Sequence, residues 1–201
     1  MVGQSVLREC LRDDGVARVL SIGRTATGIE HPKLREATFA DAHLDVRYDA
    51  CFFCLGVSSA GMSEADYTRV TYDLTLEWAT KLAALNPSMT FIYVSGAGTG
   101  GKSMWAQVKK RTEDALLAMF PNAYMFRLAM LRPMNREVSK TKWTRASYIL
   151  FGWLTPLLRV VTPAAVITTE ELGRAMLRVA REGAAKHVLE NRDMRALGTE
   201  R

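Results

Sequence analysis

Residues 96–103, Gly-Ala-Gly-Thr-Gly-Gly-Lys-Ser, carry the densest chemical signal in the chain. Closely spaced glycines let backbone N–H groups close around a phosphate, and a following Lys-Ser adds an ammonium and a hydroxyl for phosphate and magnesium. Gly96 to Ser103 satisfies that spelling, GxxxxGK[ST]. Gly96, Gly98 and Gly101 equally satisfy GxGxxG, the turn that approaches a dinucleotide pyrophosphate. A loop that fits both motifs identifies neither. A P-loop enzyme also needs an apolar strand ending in a magnesium-holding Asp. The candidate strands end Cys54-Leu55-Gly56 and Phe126-Arg127-Leu128, with no Asp. The GxGxxG reading lacks an acidic residue at the end of the following strand to take the ribose. A P-loop nucleotidase built on Gly96–Ser103 therefore stands as the weakest alternative.

Cys51-Phe-Phe-Cys54 has redox or zinc spacing, but it lies in an apolar strand, where residues three apart point to opposite faces. These thiols read as core. His31, His43 and His187 stand at unrelated spacings, so no metal site is expected.

The bulk numbers narrow the class. A chain of 201 residues fits a single α/β domain, with a core over 1–128 and a helical, substrate-side region over 129–201. Residues 127–201 hold 14 Lys and Arg against 7 Asp and Glu, which accounts for the whole net charge of +6. With no nucleic-acid motif beside it, this charge reads as a solvated basic helix face. Three cysteines and no secretory leader predict a reducing, cytoplasmic location. The most apolar stretch, Ala146 to Val161, contains Pro156 and Arg159 and is shorter than the ~20 residues that span a bilayer. It reads as a buried or lid helix, with contact to a membrane surface as the minor alternative.

These residues need elements to position them, and the chain alternates helix-like and strand-like segments, as a layered α/β domain does. Helices are predicted over Val2–Asp13, Ser63–Leu85, about 103–119, and from Thr168–Glu171 to about Glu182. Ser63 caps the second, with Asp66 at the third helical position. Strands are predicted over Arg18–Ile22, 35–40, Tyr48–Leu55, Met89–Ser95 and Ala123–Leu128. The strand FIYVS ends in Ser95, and ten residues later comes Trp105-Ala-Gln-Val-Lys109.

The segments YDACFFCLGVSS, DYTRVTYDLT, FIYVSGAGT, MWAQVKKRTE and TTEELGRAM together resemble an atypical short-chain dehydrogenase/reductase, of the kind labelled NAD-dependent epimerase/dehydratase-like. The resemblance spans nearly the whole chain and is most specific over 48–116. It implies a Rossmann-like fold: a three-layer, doubly wound parallel sheet with a small helical C-terminal part. It also implies NADP or NAD as cofactor, a small-molecule substrate and no nucleic-acid partner, and leaves the oligomeric state open.

Position by position, the resemblance makes Gly3 the last glycine of the dinucleotide loop. Gly23 and Arg24 follow the second strand, where Arg24 suits a 2′-phosphate and so favours NADP. Asp41 faces the adenine, and Leu55, Gly56 and Val57 pass under the ribose. Ser95 polarises the substrate oxygen, and Lys109 holds the nicotinamide ribose. Trp105 stands where the family has its proton-donating Tyr, and an indole N–H has no useful pKa. Catalysis is in question for that reason, and a non-catalytic dinucleotide-binding regulatory module is the alternative. Should turnover persist, Tyr72 and Tyr93 are the next proton sources to test. The family's first strand and earlier glycines are not seen ahead of Met1-Val2-Gly3, so the expectation is that Met1 is internal to a longer reading frame.

Overall fold

The computed structural model describes residues 2–44, 46–134 and 166–199. It contains α1 (Val2–Arg12), β1 (Val19–Gly23), β2 (Leu34–Thr38), β3 (Ala50–Phe53), α2 (Glu64–Thr68), a π-helical turn (Arg69–Asp73), α3 (Leu74–Leu85) and β4 (Thr90–Gly96). These are followed by α4 (Met104–Met119), β5 (Ala123–Leu128), β6 (Met130–Arg132), β7 (Val166–Thr168), α5 (Thr169–Glu182), β8 (Val188–Glu190) and α6 (Asn191–Thr199). The apolar stretch 146–161 lies outside the described residues.

Every strand pairing among the described residues is parallel. The main sheet runs β3-β4-β5-β8, β1 pairs with β2, and β6 pairs with β7 as a separate two-stranded piece. Parallel strands buried on both faces read as continuous apolar runs, and alternation then decides which layer each side chain meets. On β4, Phe91 and Tyr93 pack against Trp78, Ala79 and Leu82 of α3 and Leu116 of α4. Ile92 points the other way, into a cluster with Val6 and Cys10 of α1, Leu172, Ala175, Met176 and Val179 of α5, and Met194 of α6. The result is three layers: α2, α3 and α4 on one face, and α1, α5 and α6 on the other. Cys54 joins the α1-side cluster and Cys51 the α3-side one, so the two thiols face opposite ways.

The doubly wound order 3-2-1-4-5-6 is present as β2-β1 and β3-β4-β5, and no strand among the described residues stands between β1 and β3. The two pieces nevertheless share both helical layers. Val19 packs on the α1-side cluster and Ile22 on the α3-side cluster, so β1 lies in line with the sheet. Phe39, just past β2, meets Trp78 edge-on at 5.7 Å.

Several expected elements change in extent. The strand expected over Tyr48–Leu55 contracts to Ala50–Phe53, so Leu55, Gly56 and Val57 lie in the loop beyond it. The helix expected over Ser63–Leu85 carries the π-helical turn at Arg69–Asp73. Ser63 accepts from Asp66 N as anticipated, but Asp66 answers by accepting from the Ser63 hydroxyl at 2.8 Å. The C-terminal third, read as helical, also supplies β6, β7 and β8, and β8 extends the main sheet beside β5. No helix among the described residues is long and apolar enough to cross a membrane.

Candidate functional site

In a doubly wound sheet, ligands meet the carboxyl ends of the strands. Ser95 is near the end of β4 and is buried at 5% exposure. Its Oγ lies 2.9 Å from Thr99 Oγ1, and the Thr99 hydroxyl donates to Gly96 O at 2.7 Å. A threonine has one hydroxyl proton, so Ser95 is the donor in the first bond. Its lone pairs remain as acceptors.

Lys109, in the second turn of α4, reaches back to the same strand. Its Nζ donates at long range to Tyr93 Oη (3.4 Å) and to Val94 O (3.5 Å), and it sits 5.1 Å from the centre of the Tyr93 ring. Burial lowers the lysine to about 8, against a smaller opposing pull from Glu113 one turn further along. Tyr93 is 1% exposed, and burial raises its phenol above the usual range. It is thus enclosed beneath Lys109, and of the two tyrosines named as alternative proton sources only Tyr72 is half-exposed. The Arg111 guanidinium lies 5.8 Å from the Tyr72 ring.

Trp105 lies against the glycine loop. A Cβ at Gly96 would sit 3.6 Å from Trp105 Cζ3, and one at Gly98 would sit 3.6 Å from its Cη2. Gly98 has φ 86 and Gly100 φ 89, which glycine adopts without strain. The loop's amides are bonded to protein carbonyls: Ala97 N to Leu128 O, Thr99 N to Gly96 O, Gly100 N to Ala106 O and Gly101 N to Gly98 O. A phosphate cradle needs such N–H groups aimed outward. The Gly96–Ser103 spelling therefore gains no support from the loop's conformation.

The remaining candidates fall at two places. Gly23 ends β1, and Arg24 beyond it is exposed. Thr27 N in the same loop donates to Glu36 Oε1 at 2.9 Å. Glu36 thus brings a carboxylate to a loop where the sequence showed no acid, because it belongs to the next strand. Asp41 is exposed, accepts from the Thr38 hydroxyl and donates its N–H back to Thr38 Oγ1 at 3.3 Å, closing the turn after β2. Gly3 lies in the first turn of α1, where a Cβ would be 3.6 Å from Cys54 Cβ. That turn therefore adjoins the stretch leading to Leu55, Gly56 and Val57. A Cβ at Gly56 would meet nothing within 4 Å.

One pair had no signal in the sequence. Arg127, across from Ser95 in the β4–β5 register, forks onto Glu113 of α4 with Nε–Oε1 3.1 Å and Nη2–Oε2 2.6 Å. Glu113 is 1% exposed, and the carboxylate raises the Arg127 guanidinium still further. Among the described residues, no group of three His, Cys, Asp or Glu side chains could hold a metal ion.

No protein-family model matches the chain, and no curated protein matches it in sequence. Among solved structures, a glucuronic acid dehydrogenase from Chromohalobacter salexigens is similar, with a TM-score of 0.65 at 13% identity. The match covers 94% of this chain and 71% of that one. At such identity the likeness is one of fold, and the chain has a Rossmann-type α/β architecture.

Proposed function

We infer that the protein binds a nicotinamide dinucleotide along the carboxyl ends of β1, β3 and β4, NADP in preference to NAD. The reaction served is of oxidoreductase or epimerase type on a small molecule. The observation that carries this reading is the convergence of Ser95 and Lys109 on one strand end, with Lys109 reaching Val94 O, the residue before Ser95. A lysine with three N–H donors and only two long bonds retains donor capacity for ribose hydroxyls. The open space over Gly56 leaves room for close backbone approach, and Arg24 offers an exposed guanidinium for a 2′-phosphate. The first-turn amides of α1, which have no partners within the helix, suit a pyrophosphate.

The nicotinamide supplies hydride exchange. Ser95 accepts a hydrogen bond from a substrate hydroxyl, and Lys109 orients the ribose. Trp105 contributes a wall rather than a proton.

Titration with NADPH, NADH and ATP tests the reading. NADPH should bind at least about tenfold tighter than NADH, a difference of about 1.4 kcal/mol, and Arg24→Glu should abolish the preference. Equal affinities would assign the adenosine ribose to Glu36 instead, and ATP binding without NADPH binding would overturn the assignment altogether. The indole covering Gly96 and Gly98 favours one second reading, a dinucleotide-binding module without turnover. Binding of NADPH with no reaction across a panel of small alcohols and carbonyls would select it.

A further inference from the structure

The lysines of α3 and α4 are satisfied in different ways. Lys81 pairs with Glu77 at 2.6 Å, and Lys110 pairs with Asp114, each along its own helix. Lys109 has no carboxylate within ion-pair distance among the described residues. The acid at the matching position, Glu113, is buried and turned away by its two-point fork with Arg127. What remains to Lys109 is the Tyr93 hydroxyl at 3.4 Å, the Val94 carbonyl at 3.5 Å and the Tyr93 ring. Contacts of that length are weak, so they place the amine without neutralising it.

The surroundings suit an amine in its uncharged form. Lys109 is half-buried, so its Nζ is drawn from water yet within reach of a small molecule. Trp105, one turn earlier on α4, walls the same strand end over Gly96 and Gly98. A desolvated ammonium without a counter-ion is disfavoured, and burial accordingly brings Lys109 to about 8. Tyr93 is shifted the other way, so its phenol keeps its proton and remains a donor. Ser95, one residue past Val94, has given its own proton to Thr99 and offers lone pairs only. An uncharged amine beside a proton-bearing phenol is an activated nucleophile for carbonyl carbon.

We propose that Lys109 is a Schiff-base lysine, condensing with a small aldehyde that carries a neighbouring hydroxyl. The amine attacks the carbonyl carbon: the C–N bond forms, the carbonyl π bond breaks, and one amine hydrogen passes to the oxygen. The new hydroxyl leaves as water with a proton from Tyr93 as the C=N bond forms. The nitrogen then returns its remaining proton to the Tyr93 phenolate. One amine and one aldehyde thus give one imine and one water, with no oxidant or reductant. The size of the aldehyde follows from the enclosure between Trp105 and Tyr93, and its hydroxyl from Ser95, which can accept but not donate. This chemistry requires no dinucleotide and goes beyond the cofactor reading.

The test treats the full chain, without dinucleotide, with glycolaldehyde and cyanoborohydride at about pH 7.5, where an amine near 8 is neutral in about one molecule in four and an ordinary lysine in about one in a thousand. Cyanoborohydride traps the imine as a stable secondary amine, located by peptide mass spectrometry. Lys109 should be modified at least about tenfold faster than Lys110, whose ion pair with Asp114 makes it the internal standard. Equal rates, or the same preference in the urea-unfolded chain, overturn the proposal. Tyr93→Phe keeps the ring and removes the acid. It should slow the glycolaldehyde adduct at Lys109 at least about tenfold while leaving acetylation of Lys109 by an N-hydroxysuccinimide ester, which needs no acid, unchanged. Loss of both reactions together, or of neither, overturns the part given to Tyr93.

Discussion

Burial holds Lys109 near 8, below its ordinary 10.5, so folding disfavours its charged form. Between about pH 8 and 10.5 the unfolded chain keeps a proton that the folded chain has released, and the cost of burying this lysine fades as pH rises through that window. Cys10 and Cys51 act in the opposite sense: burial pushes their thiols from 9 to about 12, so stability falls as pH rises above 9. Lys109→Met removes only the lysine's contribution. The variant should melt above wild type at pH 7, and the gap should close by about pH 10.5; a gap that stays constant would mean the ammonium is solvated. The Glu113–Arg127 fork makes a different prediction. Removing one member of a buried pair strands the other, so Glu113→Ala should cost about 3 kcal/mol, most of it recovered in Glu113→Leu/Arg127→Met. Chemical denaturation of the single and double variants checks this, and a double variant no better than the single would show that the fork is not the source. If the protein reduces carbonyls weakly, Trp105→Tyr should raise the rate by about 10²-fold or more, and a steady-state assay giving no increase would deny position 105 the proton donor's place. That Lys109 would lie near the end of β4 was legible, because one strand and the helix after it carry Ser95 and Lys109 at the spacing the resembled family uses. Glu113 and Arg127 were not, because their fork closes between α4 and β5 and no local pattern announces it.

Among the elements, α5 has the most explicit start. Thr168 Oγ1 accepts from Glu171 N at 3.1 Å while Glu171 Oε2 accepts from Thr168 N at 2.7 Å, a reciprocal capping box. Thr168→Ala should cost about 1 kcal/mol, read as a lowered Tm with the fold retained. The crossing of α6 over α5 is tighter still. A Cβ at Gly198 would overlap the backbone carbonyl of Glu171, which cannot move without disturbing the cap. Gly198→Ala should therefore cost about 1–3 kcal/mol, as overpacking does, whereas Gly56→Ala, facing open space, should cost far less; equal melting temperatures for the two variants would show that the crossing is looser than described. The long elements were readable from periodicity, and β5 matches its expected bounds. β6, β7 and β8 span three residues each, too few for alternation to register, and exist because parallel partners at Leu131–Ile167 and Phe126–Leu189 hold them. The π-helical turn at Arg69–Asp73 was invisible for a related reason: its residues keep helical character and alter only the hydrogen-bond step.

At the scale of the whole molecule, the alternation of strands and helices was enough to anticipate a layered α/β domain, and the family resemblance implied its three layers and parallel sheet. What it could not show was that β1 and β2 would stay in line with the sheet, since that depends on Val19, Ile22 and Phe39 each finding a partner across the gap. Among the described residues no ladder joins residues 19–38 to the main sheet; they are held by such side-chain packing and by Lys33 Nζ, which donates to Asp13 O beyond α1 at 2.8 Å. A cooperative transition requires that one part cannot come apart without the other, and here the link between the parts is mostly apolar packing rather than a strand ladder. Residues 19–38 should therefore behave as a separate unit of low local stability, in the sense in which proteins open by sub-global segments. Trp78 reports on the join, because Phe39 rests on its edge. In a variant with the other three tryptophans changed to Phe, Trp78 emission should shift at a lower urea concentration than the far-ultraviolet helix signal; coincident transitions would show one indivisible unit. Two transitions would mean that the edge bearing Arg24 melts first, and that whatever grips Arg24 strengthens a region the helices alone leave loose.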